Sequence, residues 1–216
     1  MLLKDQRIIF VHIPKCAGSS VAYALMKKEN YPNFRGYLKM SSADQKRYLT
    51  GLEYKHNTIA SHKVKEFDKY YCFTIVRNPF DRFISSYFWK KEVETSLTLD
   101  KYLYQAEQYL KDHAHDETLK LHQKKIPHFL PQKNYVTIGN KNVMSDIFQF
   151  EQIGKVFEHL ELSPQKRKII NSKKKASTLG DEELDRVRAR IEELYQVDYE
   201  FFGFDRGPAT KNVTIL

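Results

Sequence analysis

Residues 7–29 read RIIFVHIPKCAGSSVAYALMKKE, and three kinds of structure follow one another within them. The run from Arg7 to Ile13 is apolar and β-branched, too short for a stable helix and halted by Pro14, so it predicts a strand. Residues 14–20, PKCAGSS, carry loop chemistry. SSVAYALMKKE then predicts a helix with Ser19 or Ser20 near its N-cap. A strand that turns tightly into a helix leaves the first helical N–H groups unpaired beside the turn. With the partial positive charge of the helix terminus, they form a seat for phosphate or sulfate. Gly18 permits close backbone approach, Ser19 and Ser20 add hydroxyl donors, and Lys15 adds a mobile cation.

The same grammar returns further on. NTIAS (57–61) predicts a short strand, and YYCFTIV (70–76) a stronger one whose continuous apolar character suits burial on both faces. It ends at RNPFDR, where Pro79 opens a helix over PFDRFISSYFWKK. Strands that each pass through a polar turn into a helix predict an α/β fold: a P-loop-like three-layer α/β/α arrangement around a mostly parallel sheet. Arg77 directly follows the strand, and Ser85 stands eight positions on, two turns into the helix. A guanidinium and a hydroxyl at those places can grip one phosphate, the arginine with bidentate geometry.

Outward from these two units the pattern holds. TLDKYLYQAEQYLKDH (98–113) has helical spacing at Leu99, Leu103, Ala106 and Leu110, and Pro127 and Pro131 interrupt the loop that follows. DIFQFEQ (146–152) predicts a strand that leads through GKVFEHL into a helix. Leu184, Val187, Ile191 and Leu194 stripe a helix opened by acidic residues that suit its positive N-terminus. YQVDYEFFGF (195–204) reads as core packing. Without an internal repeat or a linker, the chain reads as one domain over 1–216, with 206–216 a loosely held tail.

Composition narrows the chemistry less. A hydrophobic fraction of 41% in 216 residues predicts a globular core. Lys plus Arg exceeds Asp plus Glu by 36 − 27 = 9, which attracts anionic partners at long range. Cys16 and Cys72 make neither a disulfide framework nor a four-ligand zinc site. The N-terminal stretch is broken by Lys4, Asp5 and Arg7, and no apolar run is long enough to span a bilayer. A soluble, cytoplasmic chain is the expectation. The nucleotide-triphosphatase pattern G-x-x-x-x-G-K-[ST] is absent, because here the lysine precedes the glycine. That weakens the main alternative, a P-loop-type kinase using ATP. A non-catalytic nucleic-acid-binding module is the other, and it lacks any RNA-binding or helix-turn-helix signature.

FVHIPKCAGSSV resembles the 5′-phosphosulfate loop of sulfotransferases that use PAPS (3′-phosphoadenosine 5′-phosphosulfate), particularly the carbohydrate branch of heparan 2-O and chondroitin type. The resemblance implies that Lys15, Cys16, Ala17, Gly18, Ser19 and Ser20 surround the phosphosulfate, with Cys16 standing where a threonine is commoner. R-N-P-F-x-R-x-x-S-x-Y, residues 77–87, resembles the family's 3′-phosphate motif and implies that role for Arg77 and Ser85. HFLPQ (128–132) is similar to its H-x-x-P-Q segment, and YQVDYEFFGF to its closing Y-x-x-D segment. NSKKKAS (171–177) falls where relatives carry a basic loop on the cofactor, so Asn171, Ser172, Lys173 and Lys174 are candidate contacts.

The implied reaction is in-line sulfuryl transfer from PAPS to a hydroxyl, the expected acceptor being a glycan, with no metal. Lys15 is placed to stabilise the departing bridging oxygen. A general base near neutral pKa is needed, and the segment around His62 resembles one that carries a catalytic histidine in the heparan branch. Glu66 is an alternative base. His12 reads as packed or cofactor-adjacent. His128 and Gln132 are candidates on the acceptor side, as is Lys90. Together with Lys91, Lys124, Lys125 and Lys133, Lys90 can line an anionic groove or simply face solvent.

Overall fold

The computed structural model describes residues 1–28, 56–61, 67–115, 128–163 and 178–207. In chain order the regular elements are β1 (Leu2–Leu3), β2 (Ile8–Val11), α1 (Gly18–Lys28), β3 (Tyr71–Val76), α2 (Pro79–Lys91), α3 (Leu99–His113), the single turn α4 (Lys133–Val136), β4 (Thr137–Ile138), β5 (Lys141–Asn142), β6 (Asp146–Gln149), α5 (Ile153–His159), α6 (Asp181–Leu194) and α7 (Gln196–Phe202). They form two compact units. The first takes its described residues from 1–76 and 135–163, the second from 77–115, 128–134 and 178–207. Among the described residues no helix is long and apolar enough to cross a membrane.

The first unit is organised by a sheet of order β1-β2-β3-β6, in which β1 is antiparallel to β2 while β2, β3 and β6 run parallel. This is the α/β class with a mostly parallel sheet that the sequence predicts. β3 is buried at every position after its first, as its unbroken apolar character requires. Its one hydroxyl there, on Thr74, is satisfied by donating to the Val11 carbonyl at 2.7 Å. Phe73 lies at the centre, fully buried, with ring centroids of Phe10 at 4.8 Å, Tyr71 at 5.7 Å and Phe148 at 6.4 Å. Lys28, at the end of α1, donates to the Leu160 carbonyl just beyond α5 at 2.7 Å.

One element differs from expectation. Residues 59–61 form a 3-10 turn rather than a strand. Ser61 closes it by donating to the Thr58 carbonyl through both its N–H (3.1 Å) and its hydroxyl (2.7 Å). A serine side chain that bonds locally competes with sheet pairing, and here it wins.

The second unit is helical. Asn78 caps α2 by accepting from the Phe80 N–H at 3.0 Å, and Pro79 occupies the first turn, where its missing N–H costs nothing. The inner face of α2, with Phe80, Phe83, Ile84, Tyr87 and Phe88, packs with the predicted stripe of α3 and with Val187 and Ile191 of α6 in one core. Arg190 of α6 reaches Glu107 of α3 at 2.6 Å, and Arg188 lies over the Phe80 ring at 3.8 Å.

Replacing Phe73 with alanine is expected to lower unfolding stability by about 3–5 kcal/mol, through lost burial plus an uncollapsed cavity. Urea denaturation measures it. A loss below about 1 kcal/mol would show that this face of the sheet is not tightly packed.

Candidate functional site

Between the end of β2 at Val11 and the start of α1 at Gly18, six residues make the turn. The helix begins one residue earlier than the sequence suggests, so Ser19 and Ser20 lie in its first turn, and the Ser20 N–H folds back to the Ala17 carbonyl at 2.9 Å. Lys15 and Ala17 both have left-handed backbones, with φ of 67° and 59°, on either side of Cys16. Alternating handedness turns successive N–H groups toward one concave side, which is the geometry of an anion-binding nest. The helix terminus adds its own positive end to that concavity. Ser19 is exposed and Lys15, Ala17 and Ser20 are half-buried, so the loop is open to a ligand.

Two features hold the loop in shape. The Cys16 thiol is buried and approaches the Pro14 carbonyl at 3.6 Å, so Cys16 packs inward. Gly18 lies directly against the His12 ring: a Cβ there would come within 1.8 Å of His12 Cδ2 and 2.7 Å of Cγ. The ring has little room to retreat. It is buried, stacked on Phe10 at 5.8 Å and tilted against His56 at 4.3 Å, while His56 Nδ1 bonds the His12 carbonyl at 2.9 Å. His12 is therefore a packing residue that dictates the glycine.

Arg77 and Ser85 belong to the second unit, and both are buried, at 6% and 5% exposure. Arg77 is gripped by its backbone. Its N–H donates to Gln132 Oε1 at 2.9 Å and its carbonyl accepts from Gln132 Nε2 at 2.8 Å. Gln132, fully buried, is in turn fixed by Asp198: the Gln132 main-chain N–H donates to Asp198 Oδ2 at 2.8 Å and the Lys133 N–H to Oδ1 at 2.9 Å. Arg82 donates to the carbonyls of His128 (3.0 Å) and Leu130 (2.9 Å), and the Tyr195 hydroxyl to that of Phe129 (2.8 Å). Burial pushes the Asp198 carboxyl above the usual carboxylate range, against the opposing pull of the Arg82 charge and of the N–H groups it binds.

Three motifs that lie far apart in sequence thus interlock: RNPFDR, HFLPQ and YQVDY. Arg82, Asp198 and Tyr195 were not singled out as site residues from the sequence. A signal for two of them existed, since each places a charge on the apolar face of a helix, where only a buried partner makes it tolerable.

The remaining candidates divide between those the structure describes and those it does not. His128 Nδ1 bonds Ser86 Oγ at 2.6 Å, Ser86 bonds the Tyr102 hydroxyl at 2.5 Å, and the Trp89 ring is 4.7 Å from the imidazole. Lys90 sits in the last turn of α2, half-exposed and 3.5 Å from Glu94. His62, Glu66, Lys124, Lys125, Asn171, Ser172, Lys173 and Lys174 lie outside the described residues, as does 208–216 of the tail. Burial pushes the Cys72 thiol up to about 11, which keeps it protonated and unreactive. Among the described residues no group of three or more His, Cys, Asp or Glu side chains is placed to hold a metal ion.

Gly18→Ala is expected to cost about 1–3 kcal/mol by overpacking against His12. Combining it with His12→Ala should recover part of that loss, measured as a coupling energy in a double-mutant cycle. Additive losses would show that ring and glycine do not press on each other.

The family model described as the Sulfotransferase family matches residues 1–205, a span that includes both the 12–20 loop and the 77–85 segment. No curated protein and no solved structure matches the chain. With nearly the whole sequence inside that match, the chain belongs to the sulfotransferase family.

Proposed function

We propose that this sulfotransferase takes its sulfuryl group from PAPS and delivers it to a hydroxyl of a carbohydrate. The observation that carries the donor reading is the 12–17 turn, where left-handed Lys15 and Ala17 form a nest at the N-terminus of α1. Such a nest suits the phosphosulfate end of the donor. Arg77 and Ser85 would take its 3′-phosphate, a reading supported by the buried, backbone-anchored arginine and by the resemblance of residues 77–87 to the family motif. The carbohydrate acceptor rests on the resemblance of both motifs to the glycan-sulfating branch. The formal charge of +9 suits an anionic donor and an anionic glycan alike.

In the reaction, the acceptor oxygen attacks sulfur as the bond from sulfur to the bridging phosphate oxygen breaks. The products are a sulfate ester and PAP, the donor without its sulfuryl group. The Lys15 ammonium offsets charge gathering on the bridging oxygen, and the nest N–H groups do the same for the phosphate. The acceptor proton passes to a base, for which His62 is the candidate.

Calorimetry on the full chain in EDTA is expected to show PAP binding more tightly than ATP, because only PAP carries a 3′-phosphate. Tighter, magnesium-dependent ATP binding would instead point to a kinase. Lys15→Ala should reduce turnover about 100-fold or more with little change in PAP affinity. Arg77→Ala should weaken PAP binding about 10- to 100-fold. His62→Ala should remove most transfer at unchanged PAP affinity, and a normal rate would eliminate it as the base. A transfer screen over heparan- and chondroitin-type glycans, with simple phenols as controls, tests the acceptor. Transfer to phenols alone would overturn the carbohydrate reading.

A further inference from the structure

Arg77 follows β3 outside any strand, yet its main chain is paired in the manner of one. A primary amide offers a donor and an acceptor side by side, and Gln132 presents both to a single residue, at 2.9 Å and 2.8 Å. The amide's orientation is not arbitrary, because the Arg77 N–H must meet the oxygen and its carbonyl must meet the nitrogen. This reproduces a rung of sheet pairing with one side chain, and so fixes the backbone from which the Arg77 side chain departs.

The glutamine is itself immobilised. Residues 128–132 contain no helix or strand, so their backbone groups must be satisfied by other means. Asp198 takes the N–H groups of Gln132 and Lys133, Arg82 holds the carbonyls of His128 and Leu130, and Tyr195 holds that of Phe129. Five of the six residues from 128 to 133 are therefore pinned, and the one amide side chain stays in place. A scaffold that only needed to fill space could have used leucine or methionine there, without a buried carboxylate beneath it.

We infer that Gln132 is the positioning residue for Arg77, and that Asp198, by fixing Gln132, sets how well Arg77 distinguishes a nucleotide bearing a 3′-phosphate from one without it. The inference rests on the reading of Arg77 as the 3′-phosphate ligand. Its effect is one of selectivity: the Gln132 bonds orient a group that meets only the 3′ end.

The test compares the affinities of the full chain for PAP and for adenosine 5′-phosphate, which lacks the 3′-phosphate, by calorimetry. In the parent, the ratio of the two affinities is expected to favour PAP strongly. Gln132→Met, close in volume but without the amide, is expected to lower that ratio about tenfold or more while leaving adenosine 5′-phosphate binding unchanged. Asp198→Asn, which keeps one acceptor oxygen, should lower it by a smaller factor, and carries the test if Gln132→Met does not fold. Equal weakening of both nucleotides would mark Gln132 as merely structural and overturn the inference. An unchanged ratio in Gln132→Met, with a collapsed ratio in Arg77→Ala, overturns it while leaving the donor reading intact. An unchanged ratio in Arg77→Ala removes the donor reading, and this inference with it.

Discussion

The helical unit is arranged around a carboxylate that has no contact with solvent. Isolating such a charge from water costs several kcal/mol unless the protein replaces the lost hydration. Asp198 recovers part of that cost from two main-chain N–H groups, at Gln132 and Lys133, and from the positive field of Arg82, and burial still holds its carboxyl above the usual range. None of these groups is close to it in sequence. The arrangement therefore forms as a whole or not at all, because each partner left alone would be a buried polar group without compensation. The irregular stretch 128–132 acquires a definite shape only through this network, and it conveys that definition to the first residue after β3.

The two turns proposed to hold the donor are built by different physics. The PKCAGSS turn works through backbone: handedness at two positions and the end of a helix aim dipoles at one spot, while side chains mostly pack the loop from behind. The RNPF turn works through a side chain and invests its structure in holding one arginine from beneath. A backbone nest tolerates exchange of its side chains provided the torsions survive, which accommodates a cysteine where a threonine is commoner. An arginine seat tolerates much less, since its geometry depends on residues more than fifty positions away.

Much of this was legible in the sequence. The strand–turn–helix grammar at 7–28 and 70–91 gave the parallel pairing of β2 with β3, because continuous apolar strands followed by capped helices leave few other arrangements. The helix over 79–91 and the stripe on α3 followed directly from the proline, the caps and the spacing. What the sequence concealed was long-range satisfaction. Nothing local distinguishes Gln132, read as an acceptor contact, from a glutamine that clamps a backbone. Asp198 stands out as a charge in an aromatic run, but the identity of its partners, at Gln132 and Lys133, leaves no mark nearby. The 57–61 segment departs from its apolar pattern because a serine hydroxyl bonding three residues back leaves no mark on such a pattern.

The backbone at Lys15 has a further meaning. A left-handed conformation at a residue with a side chain carries a penalty of roughly 1–3 kcal/mol, and glycine would relieve it. The chain keeps a long cationic side chain at a torsion where a bare hydrogen would be easier. Thermal stability alone would favour glycine at this position, so laboratory selection for heat resistance should drift toward it, producing a sturdier protein that has given up its ammonium. Hardiness and the positive charge pull in opposite directions at this single torsion.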